Sequence, residues 1–318
     1  MTAAPPFPTP YDGSSRLFTI SMKPIGPADW IAPGHDLEQM LAEKTRLNRD
    51  IPDLVFVEKA GTREAQAELL NILADHLVQH QPETYRREGH TITIGDSRSV
   101  DLDDSNRPPL LTAANLVADD LVIMRRDPTG WRLVAASLCF PSSWTLSEKF
   151  GRPLQEIHNP VPGFGEGTRT AEMIQRIFDN LQRGQPAIRW NWSLQSDRTL
   201  YKPLSSIQRD ERAVAKPPRF VHGAQSAFIR VERQTLRKLP VSGDIVFTIR
   251  INLDPMLALA AHPDGARLAR SLASELAALV PDQIDYKGFG ADRDRLIADL
   301  GRIAAGEPYP AEPVSSLL

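Results

Sequence analysis

His158 is the residue best mounted for chemistry in this chain. A strand-like run over residues 131–140 breaks at Pro141, Ser142 and Ser143 lead into a helical segment over 145–157, and Pro160 and Pro162 stop it. The imidazole therefore stands at a helix terminus among Phe150, Leu154, Ile157, Val161 and Phe164. A neutral imidazole so placed can bind a metal through one ring nitrogen while a neighbouring acceptor orients the other, and an apolar slot of this kind suits a haem iron. A histidine that caps a helix or lies on the surface would leave the same local pattern.

Two other candidates are weaker. His76 and His80 are four apart on a helical pattern and share a face, the spacing of a two-histidine metal pair, but neither an HExxH glutamate nor a third ligand accompanies them. Cys139, the single cysteine, is a rival axial ligand to His158, although its strand-like flanks favour a buried, inert thiol. With one cysteine the chain can form no intramolecular disulfide and cannot hold an iron–sulfur cluster or a cysteine-rich zinc site by itself; this usage fits a reducing cytoplasm.

A row of polar residues alternates with apolar ones in the later part of the chain. Residues 228–235 put Arg230, Glu232 and Gln234 on one strand face, against Ile229, Val231, Arg233 and Thr235. Residues 187–194 set Arg189 and Asn191 against Ile188, Trp190 and Trp192. If the polar face is buried, its charges must pair with one another, with Arg189 or Arg250, or with a bound ligand. If it faces water, it is the ordinary exposed side of an antiparallel sheet.

These residues require a particular set of elements. Helices are expected over 36–49 and 62–80, a strand over 16–20, a strand near 90–94 and an apolar helix over 108–117. Strands over 121–124 and 131–140 are joined by a hairpin turn, Asp127-Pro128-Thr129-Gly130, followed by the His158 segment and an amphipathic helix over 170–181. Strands at 187–194, 228–235 and 244–253 follow, with residues 195–219 as a long loop or lid, and helices at 255–261, 264–279 and 290–304 close the chain. The pattern predicts an α+β fold, an antiparallel sheet with helices on one side and additional N- and C-terminal helices. Residues 1–16 read as a flexible arm, 17–305 as a single domain and 306–318 as a tail. With 37 basic and 40 acidic residues, net charge −3, nucleic acid is an improbable main partner. The sequence offers no apolar run long enough to span a bilayer and no signal peptide at its N-terminus, so a cytoplasmic protein is expected.

Four ordered motifs carry a resemblance: residues 137–144 (SLCFPSSW); 149–154 (KFGRPL) with 157–162 (IHNPVP); 189–192 (RWNW); and 230–240 (RVERQTLRKLP). Together they resemble the haem-dependent oxidative N-demethylase family, α-subunit-like, across roughly residues 18–300. The resemblance implies a PAS-like domain that binds haem b and removes a methyl group from a small secondary amine, dimethylamine. It uses dioxygen and electrons from a partner reductase and releases formaldehyde; flavin, iron–sulfur and folate sites belong to partner subunits. It further implies His158 as the iron ligand, Lys149, Arg152 and Arg169 as partners of the haem propionates, and Trp190 and Trp192 beside the cofactor. On the same resemblance Arg230, Glu232, Gln234 and Arg189 would form the opposite, catalytic wall. There Arg230 or Arg189 would donate to oxygen as it gains negative charge, and Glu232 would hold the protonated amine. A haem-binding sensor or carrier of the same fold, without turnover, is the alternative.

Overall fold

The computed structural model describes residues 8–32 and 34–309. Strands form where β-branched and aromatic residues alternate between turn residues. In chain order they are β1 (Lys23–Pro24), β2 (Phe56–Glu58), β3 (Tyr85–Glu88), β4 (Thr91–Ile94), β5 (Arg98–Asp101), β6 (Asp120–Asp127), β7 (Gly130–Ser137), β8 (Ala187–Gln195), β9 (Phe228–Lys238) and β10 (Ile245–Pro255). Seven of them make one open antiparallel sheet in the order β1-β8-β9-β10-β6-β7-β2, and β3, β4 and β5 make a second, smaller sheet. The predicted hairpin joins β6 to β7, with Asp127 opposite Gly130.

The helices are α1 (Leu37–Asp50), α2 (Pro52–Val55), α3 (Arg63–His80), α4 (Pro109–Ala114), α5 (Leu146–Lys149), α6 (Leu154–His158), α7 (Arg169–Asn180), α8 (Ser206–Ala215), α9 (Gly265–Ala277), α10 (Pro281–Lys287) and α11 (Arg293–Ala305). They do not keep to one side of the sheet as the alternation suggests. On one face, Leu121, Ile123 and Val246 pack with Leu69, Leu73 and Leu77 of α3 and with Leu110 of α4. Further along that face, Trp192, Ile229 and Val231 pack with Leu268 and Leu272 of α9 and Leu296 and Leu300 of α11. The other face carries Val122, Met124, Leu133, Leu236 and Ile249, covered by Leu146 of α5, Leu154 of α6 and Ile174 and Phe178 of α7. Both faces of the sheet are covered because both sets of alternating positions are rich in apolar residues.

Local chemistry explains the other departures from expectation. The segment 145–157 is two short helices rather than one: Gly151 turns the chain at φ +73° and Pro153 stands as the N-cap of α6. Proline disfavours helical geometry in the residue before it, so one continuous helix would be strained there. No strand forms at 16–20, where Phe18 takes a positive φ of 58°. The long excursion 195–219 contains α8, started by a capping box in which Ser205 and Gln208 satisfy each other's backbone amides. Helix α10, unforeseen, has a proline at its start and Gly288 in the left-handed region at its end. Of the expected N-terminal arm, residues 8–16 include a 3₁₀ turn at Pro10–Asp12 whose Tyr11 is buried against Trp192. Residues 1–7 and most of the expected tail, 310–318, lie outside the described residues.

One junction fixes where the His158 segment leaves the sheet. Past the end of β7, Leu138 N–H donates to Val55 O at 2.7 Å, and the amides of Cys139 and Phe140 donate to the two oxygens of Asp120 at 2.8 and 2.9 Å. Asp120 is fully buried. Replacing it leaves two buried amides without acceptors, so Asp120→Ala is expected to cost roughly 2–4 kcal/mol of stability. The loss appears as a lower urea midpoint at unchanged slope, with Asp120→Asn, which keeps one acceptor, losing less.

Candidate functional site

Between the sheet and the α5–α7 segment lies a cavity of about 650 Å³, within the range of small-molecule and cofactor sites. Strand alternation assigns its walls. The positions of β6, β7 and β10 that face it are apolar: Val122, Met124, Leu133, Phe247 and Ile249. The polar groups of this face come from β8 and β9, as Arg189, Asn191, Ser193, Glu232 and Gln234, with Leu236 of β9 continuing the apolar wall. Opposite the sheet stand Lys149, Leu154, Ile157, His158, Val161 and Phe164, and the loop after β8 adds Thr199 and Tyr201.

His158 is the last residue of α6. The turn that precedes that helix is pinned to β7, where Gly151 N–H donates to Leu133 O at 2.9 Å and Leu133 N–H to Arg152 O at 3.3 Å. Within the helix, Nδ1 of His158 lies 2.9 Å from Leu154 O. A carbonyl can only accept, so Nδ1 carries the proton and Nε2 keeps its lone pair. The ring sits 6.3 Å from that of Phe164. Burial, and then the charge of Lys149, press the imidazole pKa down to about 4 against the opposing carbonyl bond. His158 is thus neutral at physiological pH, with Nε2 available as a ligand atom.

The polar wall is organised around Glu232. Its Oε1 accepts from Arg230 Nε at 3.3 Å, and its Oε2 accepts from Asn191 Nδ2 at 3.1 Å and Gln234 Nε2 at 2.9 Å. Burial works to raise its pKa, but Arg230, the Asn191 amide and Lys287 hold it below the usual carboxylate range. Glu232, Lys149, Arg189 and His158 retain partial accessible surface because they line the cavity, while the surrounding protein still removes much of their hydration. Burial lowers Lys149 to about 7 and Lys287 to about 8, in each case against the attraction of Glu232. Lys149 Nζ stands 4.0 Å from the centre of the Trp144 ring.

Of the residues singled out in the sequence, the fold brings His158, Lys149, Arg189, Glu232 and Gln234 to one cavity. Arg230 lies behind the wall, wholly buried, donating to Phe140 O at 2.6 Å and to Glu232, so it supports the site without lining it. Arg250 cannot join that row: it belongs to the opposite face and pairs with Asp36. Arg152 is exposed and bridges Glu156, and Arg169 is exposed at the start of α7; neither lines the cavity. Trp190 and Trp192 also point away from it, because they alternate with Arg189 and Asn191 and pack toward the C-terminal helices. Cys139 is fully buried, receives a contact from Asn48, and has its thiol pushed up to about 12 by burial and then by Asp120. The rings of His76 and His80 lie 4.8 Å apart, tilted to each other, with His76 against Trp30, and no group of three metal-ligating side chains forms among the described residues.

Several lining residues escaped the sequence reading: Arg212 of α8, Arg219, and Tyr286 and Lys287 of α10. The capping sequence at Ser205 and the Pro281 to Gly288 bracket mark the two helices, but nothing local says that those helices reach the cavity.

The donor set is suited to a macrocyclic iron cofactor. One neutral imidazole with a fixed tautomer, without companion ligands among the described residues, fits a metal that brings its own equatorial chelate. Apolar side chains flank it, and cations stand by for carboxylate substituents. Residues 21–297 match the family model described as haem-dependent oxidative N-demethylase, alpha subunit-like. That match spans most of the 318 residues and takes in both the His158 segment and the polar strand wall. The chain belongs to the haem-dependent oxidative N-demethylase, alpha subunit-like family.

Proposed function

We propose that this chain holds haem b in the 650 Å³ cavity, where His158 would ligate its iron, and that it demethylates a small secondary amine there. The observation that carries the reading is the Leu154 carbonyl fixed on Nδ1 of His158, which leaves Nε2 with its lone pair on a residue that lines the cavity. Family membership supports haem dependence and an oxidoreductase activity. A PAS-like domain over residues 17–305, with the ligand on the helical side and polar groups on the later strands, is consistent with this arrangement. Haem supplies activation of dioxygen through its iron. In the net reaction the N-methyl carbon gains one oxygen atom and leaves as formaldehyde. The second oxygen leaves as water with two protons and two electrons, which a partner reductase provides.

The chain's own residues bind and orient. Lys149 lines the cavity on the same segment as His158 and would take a haem propionate in place of the exposed Arg152 and Arg169. Glu232 attracts the substrate ammonium, and Asn191 and Gln234 fix the carboxylate that does so. The apolar wall of Val122, Leu133, Phe247 and Ile249 excludes water from the reacting methyl group. Flavin, iron–sulfur and folate chemistry would reside on partner subunits. Among the described residues no helix is long and apolar enough to cross a membrane.

Haem titration monitored at the Soret band tests the ligand assignment: wild-type protein should bind one equivalent and His158→Ala should lose stoichiometric binding. Full retention by that variant would remove His158 as the ligand. In haem-free protein the His158 ring should titrate near pH 4, so a ring NMR signal that moves around pH 6.5 contradicts the stated burial. The same depressed pKa makes its contribution to stability constant above about pH 6.5 and progressively lost as pH falls toward 4, because the unfolded state takes up the proton first. Glu232→Gln keeps an acceptor for Arg230 but removes the charge. It should retain haem and weaken the amine-induced Soret change roughly tenfold or more, whereas an unchanged amine titration refutes the role given to Glu232. Formaldehyde released only when reductant is supplied separates an enzyme from a haem carrier.

A further inference from the structure

We propose that the amine acted on in this cavity also carries a carboxylate, as an N-methylated α-amino acid does, with Arg189 receiving the carboxylate and Glu232 the ammonium. The inference rests on the reading above and names its substrate class. Arg189 lies opposite Gln234 and Glu232 opposite Asn191, so Arg189 and Glu232 are diagonal neighbours on one sheet face. Such neighbours stand about 7–8 Å apart. Although opposite in charge and both facing the cavity, they form no ion pair within 4.0 Å; the partner within that limit of Glu232 is Arg230. Arg189 has no hydrogen-bond acceptor among the described residues, and its Nε is buried and unpartnered.

A guanidinium partly stripped of water and left without an acceptor is costly, and an incoming anion removes that cost. A plain dialkylammonium ion cannot do so. Glu232 is already balanced by Arg230, so adding a lone cation beside Arg189 and Lys287 raises the positive charge of the wall. A zwitterion adds no net charge and presents one group of each sign, separated by a single carbon, to a cation and an anion that share a face without touching. Haem would bring two carboxylates of its own. Lys149, Arg212 and Arg219 line the cavity from segments other than the strand pair and can meet them, leaving Arg189 for the substrate.

The test titrates haem-loaded full-length protein with N-methylglycine and with dimethylamine, following the Soret band. N-methylglycine is expected to reach half-saturation at a concentration roughly tenfold or more below that of dimethylamine. Arg189→Gln should retain haem, raise the N-methylglycine value by roughly the same factor and not raise the dimethylamine value. Arg189→Lys, which keeps the charge, should fall between the two. Equal half-saturation in the wild type, or an N-methylglycine titration untouched in Arg189→Gln, overturns the proposal. Haem loss in both Arg189 variants overturns it too, since it assigns the guanidinium to the cofactor. Failure of the wild-type protein to hold haem is seen before any amine is added, and it defeats the underlying reading instead.

Discussion

The site hangs on the backbone of Phe140, which is held from two sides by buried charges. Asp120 accepts the Phe140 amide at 2.9 Å, and Arg230 donates to the Phe140 carbonyl at 2.6 Å. Asp120 opens β6 and Arg230 belongs to β9, so strands on either side of β10 grip the point at which the chain leaves β7 for the His158 segment. Arg230 also bridges to Glu232. The imidazole wall and the carboxylate wall are therefore joined through a single guanidinium. Buried charges of this kind add little net stability over apolar packing but are costly to leave unpaired, so the pairing favours one relative placement of the two walls.

The same physics divides the large sheet by function. Its β6, β7 and β10 positions on the cavity side are apolar, whereas β8 and β9 provide the charged groups on a contiguous stretch of the same face. Because the face is covered by α5, α6 and α7, each polar group on it must find a partner. Glu232 finds three donors, and Arg189 finds no acceptor among the described residues. That contrast separates a carboxylate satisfied by the fold from a guanidinium that the fold leaves without an acceptor.

The cations have a similar logic. Burial pushes Lys149 and Lys287 toward neutrality, and Glu232 pulls both back toward charge. Entry of an anionic group would favour their charged forms further, so occupancy of the cavity and protonation of its lysines are linked. Burial acts on His158 in the same sense, and its depressed pKa keeps the imidazole neutral across the physiological range.

The sequence by itself determined the elements whose cause is local. The hairpin at Asp127–Gly130, the periodicity of α3 and α7, the alternation of β8, β9 and β10, and the prolines that end the His158 helix are all written in neighbouring residues. Alternation also established that Arg230, Glu232 and Gln234 share a face and that Trp190 and Trp192 oppose Arg189. The motifs around His158 and along β9 pointed to the family before any contact was known. Tertiary structure alone decided whether the polar face met water or protein, because alternation looks the same in both cases. It decided that helices cover both faces, that Trp190 and Trp192 lie away from the cavity, and that Arg152 and Arg169 remain exposed. It also brought Arg212, Arg219 and Lys287 to the cavity from segments up to 129 positions beyond His158. Such placements follow from how covered sheet faces and buried charges are satisfied across the whole molecule, and no local window of sequence contains that information.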